Sequence, residues 1–267
     1  MEVIIAPAPE LAVLAADAVE ALLRRRPDAV LGLATGSSPL AVYDELARRH
    51  AATGLSFDAA RGFMLDEYVG LPAEHPERYR NVIEREIASR VGWPAAQVHG
   101  PDGLADDLEA ACAAYEAAIA AAGGIDLQLL GVGTDGHVAF NEPGSSLASR
   151  TRVKTLTRQT REDNARFFDG DAEAVPRHCL TQGLSTIMAA RHLVLLATGR
   201  GKAEAVHRVV EGAVSAMWPG SVLQMHPHVT VLVDDAAASR LQLADYYRQA
   251  YASKPARQDV EDTVAVG

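Results

Sequence analysis

Short apolar runs alternate along the chain with segments whose apolar positions recur every three or four residues. Val3–Ala6 reads as a strand, and Glu10–Arg26 then places Leu11, Leu14, Ala18 and Leu22 on one helical face. Ala29–Leu33 is a second strand, running into Thr35-Gly36-Ser37-Ser38-Pro39. Pro39 suits the first turn of a helix, whose apolar side continues through Leu40, Tyr43 and Leu46. A third strand, Gly62–Leu65, ends at Asp66-Glu67-Tyr68. Residues 71–80 read as loop, followed by a helix to about Arg90. The alanine-rich stretch 105–122 still draws a stripe of Leu108, Cys112, Tyr115 and Ile119 before Gly123-Gly124 ends it. Asp126–Leu130 and His192–Thr198 are buried-type strands; between them, residues 150–190 mix polar and helical segments and fit an inserted lid. A helix over 202–211, a last strand over 229–234, a helix through Tyr247 and a polar tail from Ser253 complete the pattern. Alternation of this kind predicts an α/β fold, a mostly parallel sheet flanked by helices on both faces. No internal repeat or long linker divides it, so residues 1–267 read as a single domain.

Composition narrows the partners. The formal net charge of −10 argues against a phosphodiester backbone, although a few converging cations can still hold one phosphate. Two cysteines, Cys112 and Cys179, form neither a disulfide framework nor a zinc cluster and fit a reducing cytosol. Met1 leads almost directly into an apolar strand without a signal-peptide pattern, and no run approaches the roughly 20 apolar residues of a membrane helix. The expectation is a cytoplasmic protein without nucleic-acid or membrane partners.

The chemistry concentrates in Leu129–Pro143 (LLGVGTDGHVAFNEP), where a strand runs into a glycine-rich turn carrying Asp135, His137 and Glu142. Two acids beside one imidazole can fix its tautomer and let it shuttle protons near neutral pH. A lone Asp-Gly-His is more often an ordinary strand-end turn; here Asn141-Glu142-Pro143 follows. Ligands of open parallel sheets collect beyond the carboxyl ends of the strands. Three strands end in informative residues there: Thr35–Ser38, Asp66–Glu67 and Gly131–Glu142. Thr35, Gly36, Ser37 and Ser38 suit an anion at a helix start, or equally plain N-capping. Lys202 adds a cation on the same rim, although singly it reads as solvated. Gly131-x-Gly133-x-x-Gly136 fits the dinucleotide pattern by letter, but it opens no helix and no acid follows at the required distance. Gly199-Arg-Gly-Lys202 lacks the spacing of a P-loop. His226-Pro-His228 has no matching third ligand and reads as structural.

These residues resemble the glucosamine-6-phosphate deaminases, within a wider superfamily of sugar-phosphate isomerases and lactonases. The resemblance covers nearly the whole chain and is carried by LGLATGSSPLAVYDEL at 31–46, MLDEYVGLPAEHPERY at 64–79, GVGTDGHVAFNEPGSSLASRTRVKTLT at 131–157, NARFFDGD at 164–171, LLATGRGKAEAV at 195–206 and VEGAVSAMWPGSVLQMHPHVTVLVD at 210–234. It implies a Rossmann-like sheet with a lid and, as activity, conversion of glucosamine 6-phosphate and water to fructose 6-phosphate and ammonia in amino-sugar catabolism. It implies Asp66 as the base that moves a proton from C2 towards C1, His137 as the ring-opening group, and Asp135 and Glu142 as its supporting carboxylates. Phosphate would rest on Thr35–Ser38 with Lys202 and, from the lid, Arg166. No cofactor or metal is implied, because the open-chain carbonyl is its own electron sink.

Some members of the family are activated by N-acetylglucosamine 6-phosphate at a site between subunits, and Ser145, Arg152, Lys154 and Thr155 match that site. Its tyrosine falls on Arg248, with Tyr246 and Tyr247 just before. The Arg152/Lys154 pair reads equally as a stabiliser of the lid or of an oligomer contact. Homo-oligomerisation stays open, since relatives resemble monomers, dimers or hexamers. Two competing functions are a phosphogluconolactonase, which lacks the Asn-Glu-Pro continuation and the Asp66-Glu67-Tyr68 loop, and a non-catalytic sugar-phosphate sensor, which needs the phosphate loop but not Asp66, His137 and Glu142 together.

Overall fold

The computed structural model describes residues 1–254; the rest of the polar tail lies outside the described residues. Ten strands build two sheets: β1 (Glu2–Ile5), β2 (Val30–Leu33), β3 (Arg61–Met64), β4 (Asp66–Tyr68), β5 (Val98–His99), β6 (Leu127–Leu130), β7 (Arg152–Thr155), β8 (His178–Thr181), β9 (His192–Ala197) and β10 (Val229–Val233). The helices are α1 (Ala8–Arg25), α2 (Leu40–Thr53), α3 (Tyr79–Ile83), α4 (Leu108–Ala121), α5 (Arg158–Asn164), α6 (Leu184–Ile187), α7 (Ala203–Val210) and α8 (Ala244–Ala252).

The main sheet has the order β1-β10-β9-β6-β2-β3-β5, and every pairing in it is parallel. β6, β9 and β10 are buried at every position, as expected of strands covered on both faces. From β2 the chain works outward through β3 to β5; from β6 it works the other way through β9 to β10. The order therefore reverses between β2 and β6. A crevice opens at such a switch point, beyond the carboxyl ends of the two strands.

The third strand departs from the sequence reading. Asp66-Glu67-Tyr68 does not merely end β3; it begins a new strand in a second sheet, β4-β8-β7, which is antiparallel throughout. Leu65 is the junction. Its N–H donates to Leu33 O in the main sheet (3.0 Å), and its carbonyl accepts from Gln182 N at the edge of the second (2.8 Å). Tyr115 of α4 and the Gln182 side chain both donate to Met64 O, fixing the chain as it leaves β3. Residues 150–190 supply β7 and β8 as well as α5 and α6. The helix expected to reach Arg90 keeps α geometry only to Ile83, then continues as a π turn and a 3-10 turn.

Most buried apolar side chains form one core around the main sheet. A smaller cluster of Tyr68, Leu71, Phe140, Leu156, Phe168, Val175 and Cys179 lies around the second sheet. Cys112 and Cys179 are both buried and unpaired. No helix among the described residues is long and apolar enough to cross a membrane.

Candidate active site

A cavity of about 210 Å³ opens at the β2/β6 reversal, and most of the expected site residues line it. Thr35, Gly36, Ser37 and Ser38 border it from the loop after β2, and Asp66 from the start of β4. His137 borders it from the loop after β6, Lys202 from the turn before α7, and Arg166 from the 3-10 turn that follows α5. Each has a local anchor. Tyr43 on α2 donates to Ala34 O (2.7 Å), fixing the chain just before the Thr35–Ser38 loop. Pro39 sits at the N-cap of α2 rather than inside its first turn. Asp234, just past β10, accepts from Gly199 N at 3.0 Å and so holds the turn that presents Lys202.

The turn after β6 is shaped by its glycines. Gly133 N donates to His137 O (2.8 Å), closing a tight loop over which the imidazole folds back. A Cβ on Gly133 would lie 2.3 Å from a carbon of that ring, so no larger residue fits. Asp135 Oδ1 takes the His137 backbone N–H at 3.2 Å and stands 2.7 Å from Nδ1. Glu142 Oε2 lies 3.6 Å from the same nitrogen, while its other oxygen accepts from Thr157 N (3.2 Å). Both carboxylates thus face the imidazole Nδ1.

Electrostatics separates the groups. Burial alone would push the His137 imidazole down, yet Asp135 and Glu142 together raise it to about 9. The resting side chain is therefore an imidazolium at neutral pH, not the half-titrated group that an unperturbed histidine would be. Asp135 answers in kind: burial pulls its carboxyl up, but His137 holds it below the usual carboxylate range. Burial, and then the charge of Glu67, raise Asp66 to about 8, while His137 pulls the other way. Burial lowers Lys202. Asp135, His137 and Glu142 are also the group of described residues whose ligand atoms converge enough to hold a cation, within 4.8 Å of one another. The 2.7 Å contact is a proton-sharing distance, shorter than the roughly 3.3 Å between two ligands of a tetrahedral zinc.

The cavity also contains residues that the sequence reading passed over. Tyr79, Asp163 and Asn164 line it. Tyr79 donates to the Tyr68 hydroxyl (3.2 Å), which also accepts from Asn164 Nδ2 (3.0 Å). Thr134 donates to Asp163 (3.1 Å), and Arg166 reaches Ser37 Oγ at 3.5 Å. α5 and the turn after it are thus tied to β4, to the histidine turn and to the Thr35–Ser38 loop. Tyr79 and Asn164 lay inside motifs quoted for the resemblance, but nothing in their spacing distinguishes a cavity wall from a surface.

Residues 6–232 match the family described as glucosamine-6-phosphate isomerases/6-phosphogluconolactonase. The chain belongs to that family. It is 73% identical over 261 residues to a glucosamine-6-phosphate deaminase of Mycolicibacterium smegmatis, covering 97% of this chain and all of that protein. A solved structure of a monomeric glucosamine-6-phosphate deaminase superposes with a TM-score of 0.88 at 42% identity, covering 90% of this chain and all of that one. A 6-phosphogluconolactonase from Leishmania guyanensis shares the fold at a TM-score of 0.71 and 23% identity, over 90% of this chain and 98% of that one.

The residues matched to the family's activator site lie away from the cavity lining. Ser145 is buried and its hydroxyl has no partner. Arg152 donates to Asn141 Oδ1 (2.9 Å) and leaves its other terminal nitrogen unpaired. On β7 the pleat turns Arg152 and Lys154 to one face and Thr155 to the other, where Thr155 meets His178 at 3.3 Å. Arg248, standing where the family has a tyrosine, pairs with Asp235 at 2.6 Å. His228 does meet a third histidine, His192, but as a stack: the two rings lie 3.7 Å apart and nearly parallel.

Proposed function

We propose that this chain converts glucosamine 6-phosphate and water to fructose 6-phosphate and ammonia, with Asp66 and His137 as its catalytic residues. The observation that carries the reading is that one cavity is lined by Asp66, His137, the Thr35–Ser38 loop, Lys202 and Arg166. In this reading the phosphate rests on the loop between Lys202 and Arg166. Lysine burial there favours an anion, which restores the charge balance that desolvation disturbs.

The sugar enters as a ring. The His137 imidazolium gives its proton to the ring oxygen and, now neutral, takes the proton of the anomeric hydroxyl, while Asp135 and Glu142 hold the imidazole for that exchange. The open-chain aldehyde acidifies C2. Asp66 takes the C2 proton as a proton of the ammonium passes to O1, and the resulting enolamine takes the C2 proton back at C1; the iminium left at C2 is cleaved by water to ketone and ammonia, released as ammonium. A raised carboxyl is a stronger base for a carbon acid, and the incoming ammonium of the sugar favours its ionised form. α5 and the Arg166 turn act as the lid.

Ammonia release from glucosamine 6-phosphate tests the reading, run beside Asp66→Asn. General-base losses of about 10²–10⁴-fold are expected with sugar-phosphate binding retained. Hydrolysis of a phosphogluconolactone without ammonia release would overturn it. Repeating the assay with N-acetylglucosamine 6-phosphate tests activation through Ser145, Arg152, Lys154 and Thr155. A fall in apparent KM supports that role, and an unchanged curve removes it.

A further inference from the structure

Glu67 stands beside the proposed base and has no part in the mechanism above. It is 1% exposed, on a three-residue strand whose pleat turns Asp66 to the cavity and Glu67 away from it. Behind β4 its carboxylate accepts three backbone N–H groups: Tyr68 (2.9 Å) and Tyr79 (3.0 Å) on Oε1, and Arg80 (2.9 Å) on Oε2. The N-cap residue of α3, Arg78, offers no side-chain cap, so Glu67 supplies one to N–H groups 12 and 13 residues further along the chain. A buried carboxylate with three donors is more than a solvated neighbour. It fixes the start of α3, and with it Tyr79, against the strand that carries Asp66.

We propose that Glu67 is a positioning residue for Asp66, bolting its strand to α3 and holding a negative charge beside it that makes Asp66 a stronger proton acceptor. The proposal rests on the reading of Asp66 as the base. Two like charges on successive buried residues cannot both ionise freely, so the one without dedicated donors keeps its proton longer. Asp66 is that one, and its upward shift includes a contribution from Glu67. The other groups coupled to Asp66 are His137, which opposes the shift, and Tyr68, Tyr79, Tyr115 and Cys179, all neutral near pH 7. On the other side Glu67 faces Arg78, whose Nε lies 3.8 Å from Oε2 without an aligned hydrogen bond. Arg80 turns its guanidinium away, to the carbonyls of Val98 and Ala95.

The arrangement gives variants of opposite sign. Carbon-13 NMR titration of the Asp66 carboxyl in the full chain, without substrate, reads the coupling directly. The pH dependence of kcat/KM for ammonia release reads its consequence. Glu67→Gln should move both midpoints down by about one unit. Arg78→Met, which removes the opposing cation, should move them up, and Glu67→Asp, which keeps the charge, should stay near the parent. Shifts of one direction in both Glu67→Gln and Arg78→Met, or none, overturn the proposal. Where Glu67→Gln fails to fold, absence of an upward shift in Arg78→Met overturns it alone. Wild type that releases no ammonia removes the functional reading, while the NMR titration still decides whether Glu67 controls Asp66.

Discussion

Two histidines at opposite ends of neighbouring strands, His137 half-buried and His192 buried, have opposite fates. His137 follows β6 at its carboxyl end and is raised to about 9; His192 opens β9 at the amino end and is lowered to about 3. Burial pushes both down. The difference lies in what each ring meets. His137 faces Asp135 and Glu142. His192 meets the flat face of His228, the Thr230 hydroxyl at 2.9 Å, and the positive influence of His226 and Lys254. One site is built to carry a proton and the other to refuse it. Desolvation sets the default, and carboxylates placed by a tight turn reverse it.

The largest test of this contrast is a matched pair of substitutions. His137→Gln should cost about 10²–10⁴-fold in turnover of the closed-ring sugar, and less with an open-chain analogue. His192→Gln should leave kcat and KM near the parent. Comparable kinetic losses in both would mean that the amino-end cluster shapes the cavity through the sheet, and equal losses on ring and open-chain substrates would remove ring opening from His137.

A smaller effect isolates the carboxylate. In Asp135→Asn the imidazole keeps Glu142 but loses its nearest charge, so burial regains ground. The folded pKa of His137 should fall by about 1–3 units, and the alkaline limb of kcat/KM should move down with it. Activity at pH 8 would then drop more than activity at pH 6. An alkaline limb that stays in place would assign that limb to another group, with Lys202 the next candidate in the cavity.

Much of the proton-carrying end was legible in the sequence because it is local. Asp135, His137 and Glu142 sit within eight positions, and three strand ends converge by topology alone. The refusing end was not. His226-Pro-His228 showed as a pair, but the ring that covers it comes from the start of another strand, and only parallel pairing of β9 with β10 sets Leu193 opposite Val229 and so His192 beside His228. The second sheet was equally hidden. β7 and β8 are four residues each and β4 only three, too short for an alternation pattern to stand out. Asp66 read as a strand end because nothing in LDEY marks Leu65 as the point where the chain changes sheets. Asn164 and Tyr79 owe their place to a tertiary hydrogen bond through Tyr68, which no spacing rule anticipates.

The smallest effect is thermodynamic, and its sign distinguishes the two histidines. His192 has a folded pKa depressed below the unfolded value of about 6.5, so the stability tied to its neutral form is complete above that pH and drains away as pH falls towards 3. His137 has a raised folded pKa, so its contribution is complete below about 6.5 and is lost as pH climbs through 9. Asp66, also raised, gains the folded state protons as pH falls from 8 and offsets part of the His192 loss, so a single wild-type curve mixes the terms. The difference between His192→Gln and wild type cancels Asp66. Denaturant unfolding should show the variant less stable at pH 7.5, through loss of the ring stack and a weaker bond to Thr230. The gap should narrow by about 2 kcal/mol on going to pH 5, because only the parent carries an unfolded-state histidine that takes up a proton the folded site refuses. A gap independent of pH would mean that His192 is protonated in the fold, and the two ends of the sheet would then differ in geometry but not in charge.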